Sequence, residues 1–318
     1  MTVLENKLLS VVIPMYFEEE VAQECYERLT HVMSALMPYE LIFVNDGSTD
    51  RTLPILREIA AQDRHVRVIS FSKNFGHQAA VTAGVKRARG DAVVIIDADL
   101  QDPPELIPDM VALWQEGNDV VYARRKKREG ESAFKLFTAK MFYRMLKAVT
   151  DTDIPADTGD FRLMDRKVAQ AFNQLPEHNR FIRGMVAWLG YKQVPIEYVR
   201  HERFAGQTKY PLKKMLKLAA DGILSFSTRP LNWVMGLGLL SVLVALGILL
   251  YALISLWTGH ATQPGWVSTM VTVTFLGGVQ LLSIGVVGAY VGRIYGEVRN
   301  RPLYLEDEVI GFEEEERR

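Results

Sequence analysis

Ala92-Val-Val-Ile-Ile-Asp-Ala-Asp-Leu-Gln-Asp-Pro-Pro-Glu105 sets an apolar run directly against a cluster of acids. Val93 to Ile96 read as a strand buried on both faces, and Asp97, Asp99 and Asp102 crowd its carboxyl end. Like charges this close repel one another, and burial makes each ionised carboxylate costlier still. A cation, or a ligand that brings one, relieves that cost.

Working outward, similar runs recur at Leu9–Ile13, Glu40–Val44, Val66–Phe71, Ala92–Ile96 and Asp119–Tyr122. They are short, rich in Val and Ile and mostly unalternating, as parallel strands covered on both sides are. Helix-like segments lie between them at about 18–36, 50–62, 77–89 and 104–116. This rhythm predicts an α/β fold: a doubly wound, mostly parallel sheet with right-handed crossovers. Ligands of such sheets sit at the carboxyl ends of the strands. Those ends are polar here: Pro14 to Glu18, Asn45 to Asp50, Ser72 to Gly76 and Asp97 to Gln101.

Beyond Tyr122 the rhythm loosens. Helical stretches are expected at about 132–149 and 166–190, flanking a loop into a short strand at 157–164. A strand near Val194–Val199 leads to the basic loop Arg200 to Lys209. Pro211 stands where a helix would start. Leu212, Met215, Leu216, Ala219, Ala220 and Ile223 then form an apolar stripe opposite Lys213, Lys214 and Lys217. Such a stripe is usually a core-facing surface; placed before an uncharged run, it reads as an interfacial helix.

Leu231–Trp257 and Trp266–Gly292 contain no charged residue, and each exceeds the roughly 20 residues that span a bilayer. The connecting loop 258–265 has no Lys or Arg, whereas Arg229, Arg293, Arg299 and Arg301 flank the pair. The positive-inside rule places both flanks in the cytoplasm. No signal peptide is expected, since the first apolar stretch, Leu8 to Phe17, is short and bordered by acids. The expected divisions are a cytoplasmic domain (1–210), an amphipathic interfacial helix (211–229), a transmembrane hairpin (230–294) and a cytoplasmic tail (295–318). Gly285, Gly288 and Gln280 with Gly292 share the second span, and small residues there favour close helix packing. A homo-oligomer joined through that face is expected, with packing inside one hairpin as the alternative use.

Net charge is -1, with 37 basic and 38 acidic residues, so nothing global argues for a nucleic-acid partner. The single cysteine, Cys25, excludes an internal disulfide and reads as a packing residue. No G-x-G-x-x-G follows the first strand and no P-loop occurs, so neither glycine cradle is present to meet phosphates. A metal is then the expected bridge to phosphate. Asp97 and Asp99, two apart, leave the same face of an extended backbone, and Gln101 adds a carbonyl oxygen. Mg²⁺ takes one or two carboxylates together with substrate phosphates. Acids merely solvating a strand end are the plainer alternative, which suits a lone Asp better than this spacing. Asp46 could accept from a base or ribose, or belong to an ordinary turn. Glu18 could line a pocket or complement a helix dipole. His77 could touch substrate, although starting a helix accounts for it as well.

Val12 to Glu18, Val44 to Ser48, Asp97 to Glu105 and Gly159-Asp-Phe-Arg162 resemble, in order and spacing, family 2 glycosyltransferases of GT-A fold. The closest likeness is to bacterial polyprenyl-phosphate glycosyltransferases, relatives of dolichol-phosphate mannose synthase, and it covers essentially the whole chain. The resemblance implies that Pro14, Tyr16, Glu18 and Asp46 line the nucleotide pocket. It implies that Asp97, Asp99 and Gln101 hold a metal-diphosphate, with Mg²⁺ or Mn²⁺ as cofactor. Asp160 would sit near the reacting centre, as a base or as a positioning group. Arg125 (or its neighbour Arg124), Arg203 and Lys209 would hold phosphates of donor or acceptor.

The function so implied is inverting transfer of one sugar from a nucleotide sugar, a UDP-sugar, to a polyprenyl (undecaprenyl) phosphate at the inner face of the plasma membrane. One rival is a processive polysaccharide synthase, but its Q-x-x-R-W pentapeptide does not occur. Another is a non-catalytic membrane scaffold, which would have no need of the acids that are retained here.

Overall fold

The computed structural model describes residues 7–125, 158–198, 229–258 and 265–312. The expected helix at 132–149, the loop bearing Arg203 and Lys209, and all of the expected interfacial helix at 211–229 except Arg229 lie outside these residues.

The strands are β1 (Leu9–Met15), β2 (Tyr39–Asn45), β3 (Val66–Phe71), β4 (Ala92–Ile95), β5 (Val120–Arg125), β6 (Thr158–Asp165), β7 (Gln193–Tyr198) and β8 (Glu306–Ile310). They form an eight-stranded sheet in the order β7-β5-β6-β4-β1-β2-β3-β8. The first half of the chain contributes α1 (Ala22–Ser34), α2 (Thr52–Gln62), α3 (His77–Arg87) and α4 (Ile107–Gln115). Strands β4, β1, β2 and β3 pair in parallel, as their unbroken apolar runs require. Leu9, Val11 and Ile13 face one core layer with Leu29 and Met33 of α1, Leu56 of α2 and Met110 of α4. Val12, Ile42 and Val44 face the other, against Ala80 and Val81 of α3. A Cβ on Gly84 would come within 2.2 Å of Val12 Cγ1, so this glycine lets α3 lie close on β1.

The sheet as a whole is mixed. β6 runs antiparallel between β4 and β5, and β7 pairs in parallel with β5. Ile95 at the end of β4 is in register with Arg162. Continuing that antiparallel register brings Asp160 level with Asp97. A strand returning in parallel would have carried it to the opposite edge.

The helical stretch expected over 166–190 is two helices, α5 (Arg166–Asn173) and α6 (Ile182–Trp188). Pro176 lies between them, and a proline within a helix removes a hydrogen bond and clashes with the preceding turn. Then follow α7 (Arg229–Trp257, 29 residues) and α8 (Trp266–Val298, 33 residues). Both are long and apolar enough to cross a membrane, with mean hydropathy 2.1 over Leu231–Ile248 and 1.8 over Val271–Val298. Met235, Leu243, Leu281 and Leu282 are more than half exposed. The segment expected to be a tail contributes a strand. β8 pairs antiparallel with the β3 edge and is fastened by the ion pairs Arg57–Glu308 and Arg87–Glu306. Phe312 beyond it is buried beneath Arg67 and Arg87.

Candidate active site

β4 ends at Ile95 and the chain turns, so Asp97 and Asp99 do not lie on the extended backbone expected of them. Leu100 takes the left-handed conformation (φ 56°), and Asp99 Oδ1 accepts the Gln101 N–H at 3.2 Å. Burial still alternates. Ala98 and Leu100 pack inward, while Asp97, Asp99 and Gln101 are half-buried.

Asp160 on β6 is 5% exposed and sits at the centre of the charged cluster. Its Oδ1 accepts from Arg183 Nε at 2.8 Å, and its Oδ2 accepts from His77 Nε2 at 3.1 Å. Asp97 Oδ1 lies 3.8 Å from the same His77 nitrogen. Arg162, 4% exposed, donates to the carbonyls of Gly159 and Asp160 at 3.1 and 3.3 Å. Burial pushes the Arg162 pKa down to about 10.

The two acids of this cluster are driven apart. Burial would raise Asp160, but the Arg183 charge and the His77 hydrogen bond hold its carboxyl well below the usual range. Burial raises Asp97 to about 6; His77 opposes this, while Asp160, Asp102 and Asp99 add to it. The Asp97 side chain remains 31% exposed, so crowding by neighbours, not full enclosure, surrounds it. For His77, burial favours the neutral ring, yet the Asp160 hydrogen bond and the Asp97 charge outweigh it and lift the pKa to about 9. His77 is therefore a cation near neutrality. It does begin α3, as expected of a helix-start residue, and its ring joins the two acids as well.

The other expected residues among those described lie at or near the ends of the neighbouring strands. Asp46, 2% exposed, is turned inward onto the loop before α3. It accepts from Phe75 N–H at 2.7 Å, Gly76 N–H at 2.9 Å and Asn74 Nδ2 at 2.9 Å. Burial raises its pKa against those backbone donors. Gly47, at φ 66°, permits the contact, because a Cβ there would meet the Lys73 backbone at 2.3 Å. Asp46 thus shapes the entry to His77. Pro14 is buried in β1, Tyr16 is 38% exposed, and Glu18 is half-buried with its N–H donating to Thr52 Oγ1 at 3.0 Å.

On β5 the adjacent arginines part company. Arg124 reaches outward to Glu197 at 2.5 Å. Arg125 Nε donates to Tyr198 Oη at 3.3 Å, and its Nη2 stands 3.2 Å from where a Gly159 Cβ would be. Tyr198 in turn donates to the fully buried Asp102. Arg125 therefore faces the cluster. Sequence reasoning missed Arg183 and Tyr198. Arg183 carried no local signal, lying in a stretch read as one continuous helix. Cys25 is buried, and burial pushes its thiol up to about 12, in keeping with a packing role.

The donors present suit a hard cation: two carboxylates and an amide at one turn, at the carboxyl end of β4. Among the described residues no group of three His, Cys, Asp or Glu closes on one point. An open site completed by phosphate oxygens needs no such closed group.

A Bacillus subtilis (strain 168) protein, "Uncharacterized glycosyltransferase YkcC", is 53% identical over 308 residues, 96% of this chain and 94% of that one. The SfII prophage-derived bactoprenol glucosyl transferase of Shigella flexneri is 41% identical over 299 residues, 93% of this chain and 96% of that one. Among solved structures, glucosyl-3-phosphoglycerate synthase from Mycobacterium tuberculosis, in complex with Mn²⁺, UDP and phosphoglyceric acid, aligns with a TM-score of 0.49. It is 22% identical and covers 69% of this chain and 77% of that one. Residues 10–172 match Glycosyl transferase family 2, from β1 through the Asp97 turn and Asp160 to α5, and the chain belongs to that family.

Proposed function

We propose that this family 2 transferase moves one sugar from a nucleotide sugar, a UDP-sugar, to the phosphate of a membrane polyprenol such as undecaprenyl phosphate. The supporting observation is the extent of the likeness to the bactoprenol glucosyl transferase. Over 299 residues, it must reach well beyond residues 10–172 into the apolar helices, the part suited to a lipid acceptor.

Asp97, Asp99 and Gln101 are the residues that would hold Mg²⁺ or Mn²⁺ with the donor diphosphate. When bound, the cation neutralises charge on the departing diphosphate. Pro14, Tyr16 and Glu18 border the nucleotide, while Asp46 fixes the 74–76 loop beside it. Arg183 and His77 keep Asp160 ionised and oriented, which makes it a weak base. No strong base is required, because a phosphate monoester, with a second pKa of about 6, is already largely anionic near neutrality. Asp160 accordingly orients the acceptor side of the site, and attack from the far side of the anomeric carbon inverts the configuration. Arg125 faces the same space, and Arg203 and Lys209 complete the acceptor phosphate site.

The two apolar helices form a membrane hairpin, with the catalytic domain and both termini in the cytoplasm. The chain self-associates through the Gln280 to Gly292 face. In support, among the described residues no heavy atom lies within 4 Å of a Cβ built at Gly285, Gly288 or Gly292, which leaves that face room for a second copy.

The test is purified full-length protein in nanodiscs with undecaprenyl phosphate, Mg²⁺ and a panel of nucleotide sugars. Formation of a glycosyl phospholipid with release of the nucleoside diphosphate is expected. Sugar-nucleotide consumption unaffected by the lipid would overturn the reading.

A further inference from the structure

The end of α8 is fastened to the catalytic domain. Glu297, in its last turn, accepts from the His178 backbone N–H at 3.0 and 3.1 Å and from that of Asn179 at 3.3 Å. Its Oε2 also accepts from His178 Nδ1 at 2.9 Å, and His178 Nε2 donates to the Arg301 carbonyl at 2.7 Å. Both ring nitrogens face acceptors, which is the setting of a doubly protonated imidazolium. The Glu297 hydrogen bond accordingly raises the His178 pKa.

His178 lies in the 174–181 loop between α5 and α6. Arg180 ties this loop back on itself, its Nη2 donating to the Leu175 carbonyl at 2.6 Å. At the far end, the N–H of Ile182, first residue of α6, donates to Gln78 Oε1 at 2.9 Å. The residue after Ile182 is Arg183, which holds Asp160. Gln78, on α3, adjoins His77, the other partner of Asp160. The loop is thus pinned to the apolar helix at one end and to the charged cluster at the other.

We infer that Glu297 is a positioning residue: by clamping His178 and the 174–181 loop to the end of α8, it sets Arg183 against Asp160. The seating of the apolar hairpin is thereby linked to the geometry of the reacting centre. This rests on the transferase reading of that centre. A mere tether between helix and domain would anchor the protein without touching turnover.

The experiment uses the full chain in nanodiscs. Glu297→Ala is expected to lower kcat about tenfold while the KM for the nucleotide sugar changes less than about twofold. Glu297→Gln, which keeps an acceptor oxygen, recovers part of the loss. In an Arg183→Ala background, Glu297→Ala adds little further loss, since partners in one network couple non-additively. Hydrogen exchange supplies a readout independent of substrate: amides of Ile182–Trp188 exchange faster in Glu297→Ala, while those of β1 and β4 do not. Losses that simply multiply across the two variants, or unchanged exchange in α6, would overturn the inference. Should the wild type transfer no sugar to lipid, the functional reading fails, and the exchange result still decides the clamp.

Discussion

Two buried carboxylates of this molecule have similar surroundings and opposite uses. Glu40, at the amino end of β2, is 3% exposed and meets Arg67 at 3.1 Å and Arg89 at 3.8 Å. It also accepts from Ser10 Oγ on the neighbouring strand. Asp160, at the carboxyl edge of the parallel strands, is 5% exposed and meets Arg183 and His77. The difference lies in what reaches solvent. Around Glu40 only cations stand, the buried Arg67 and the 37%-exposed Arg89, whereas beside Asp160 an acid also reaches solvent, Asp97 at 31% next to His77 at 35%. At the second site a closed ion pair supports an open one. Two neighbouring acids are pushed in opposite directions there, the pattern of a site prepared for chemistry.

The sharpest way to break this contrast is to neutralise each end in turn. Asp160→Asn and Asp99→Asn are expected to lower kcat by about 10²–10³-fold, the scale of losing one transition-state contact. Melting temperature should fall little in the half-buried Asp99 variant and more in the Asp160 variant, which leaves Arg183 and His77 facing a neutral amide; metal-dependent nucleotide binding should weaken in the Asp99 variant. Turnover within a fewfold of wild type at physiological Mg²⁺ would remove these residues from the reaction. Glu40→Ala should do the reverse. It removes the carboxylate that faces the buried Arg67 and costs about 3–5 kcal/mol of stability by denaturant titration, with kcat per folded molecule unchanged.

The adjacent arginines of β5 sharpen the comparison at finer scale. Arg125→Ala should cost about tenfold in kcat/KM, roughly 1.4 kcal/mol, because that side chain faces Gly159 and Tyr198. Arg124→Ala removes an exposed pair with Glu197 and should be nearly silent. Equal losses in the two variants would show that facing the cluster is not what matters.

The smallest effect concerns pH. His178 faces the Glu297 carboxylate and the Arg301 carbonyl, and its pKa is raised despite the opposing charge of Arg180. Its contribution is therefore complete below the ordinary histidine value of about 6.5 and is lost as pH rises through the raised value. We expect a stability loss of about 1 kcal/mol or less across that interval, absent in His178→Gln. Thermal melts of both proteins across neutral and mildly alkaline pH measure it.

Local order accounts for what the amino-acid sequence determined alone. Strand and helix periods repeat every two to four residues, so β1 to β4, α1 to α4 and the two long apolar helices were legible from neighbouring residues. The acid cluster was legible too, since Asp97, Asp99 and Asp102 follow one apolar run. Tertiary structure decided the rest. Asp160 stands beside Asp97 only because β6 enters antiparallel next to β4. Arg183 reaches Asp160 only because the chain breaks at Pro176 and restarts as α6. β8 closes the β3 edge only after the chain has passed through both apolar helices. Each of these depends on which strand edge or charge remains unsatisfied once distant segments meet, and no short window of sequence carries that information.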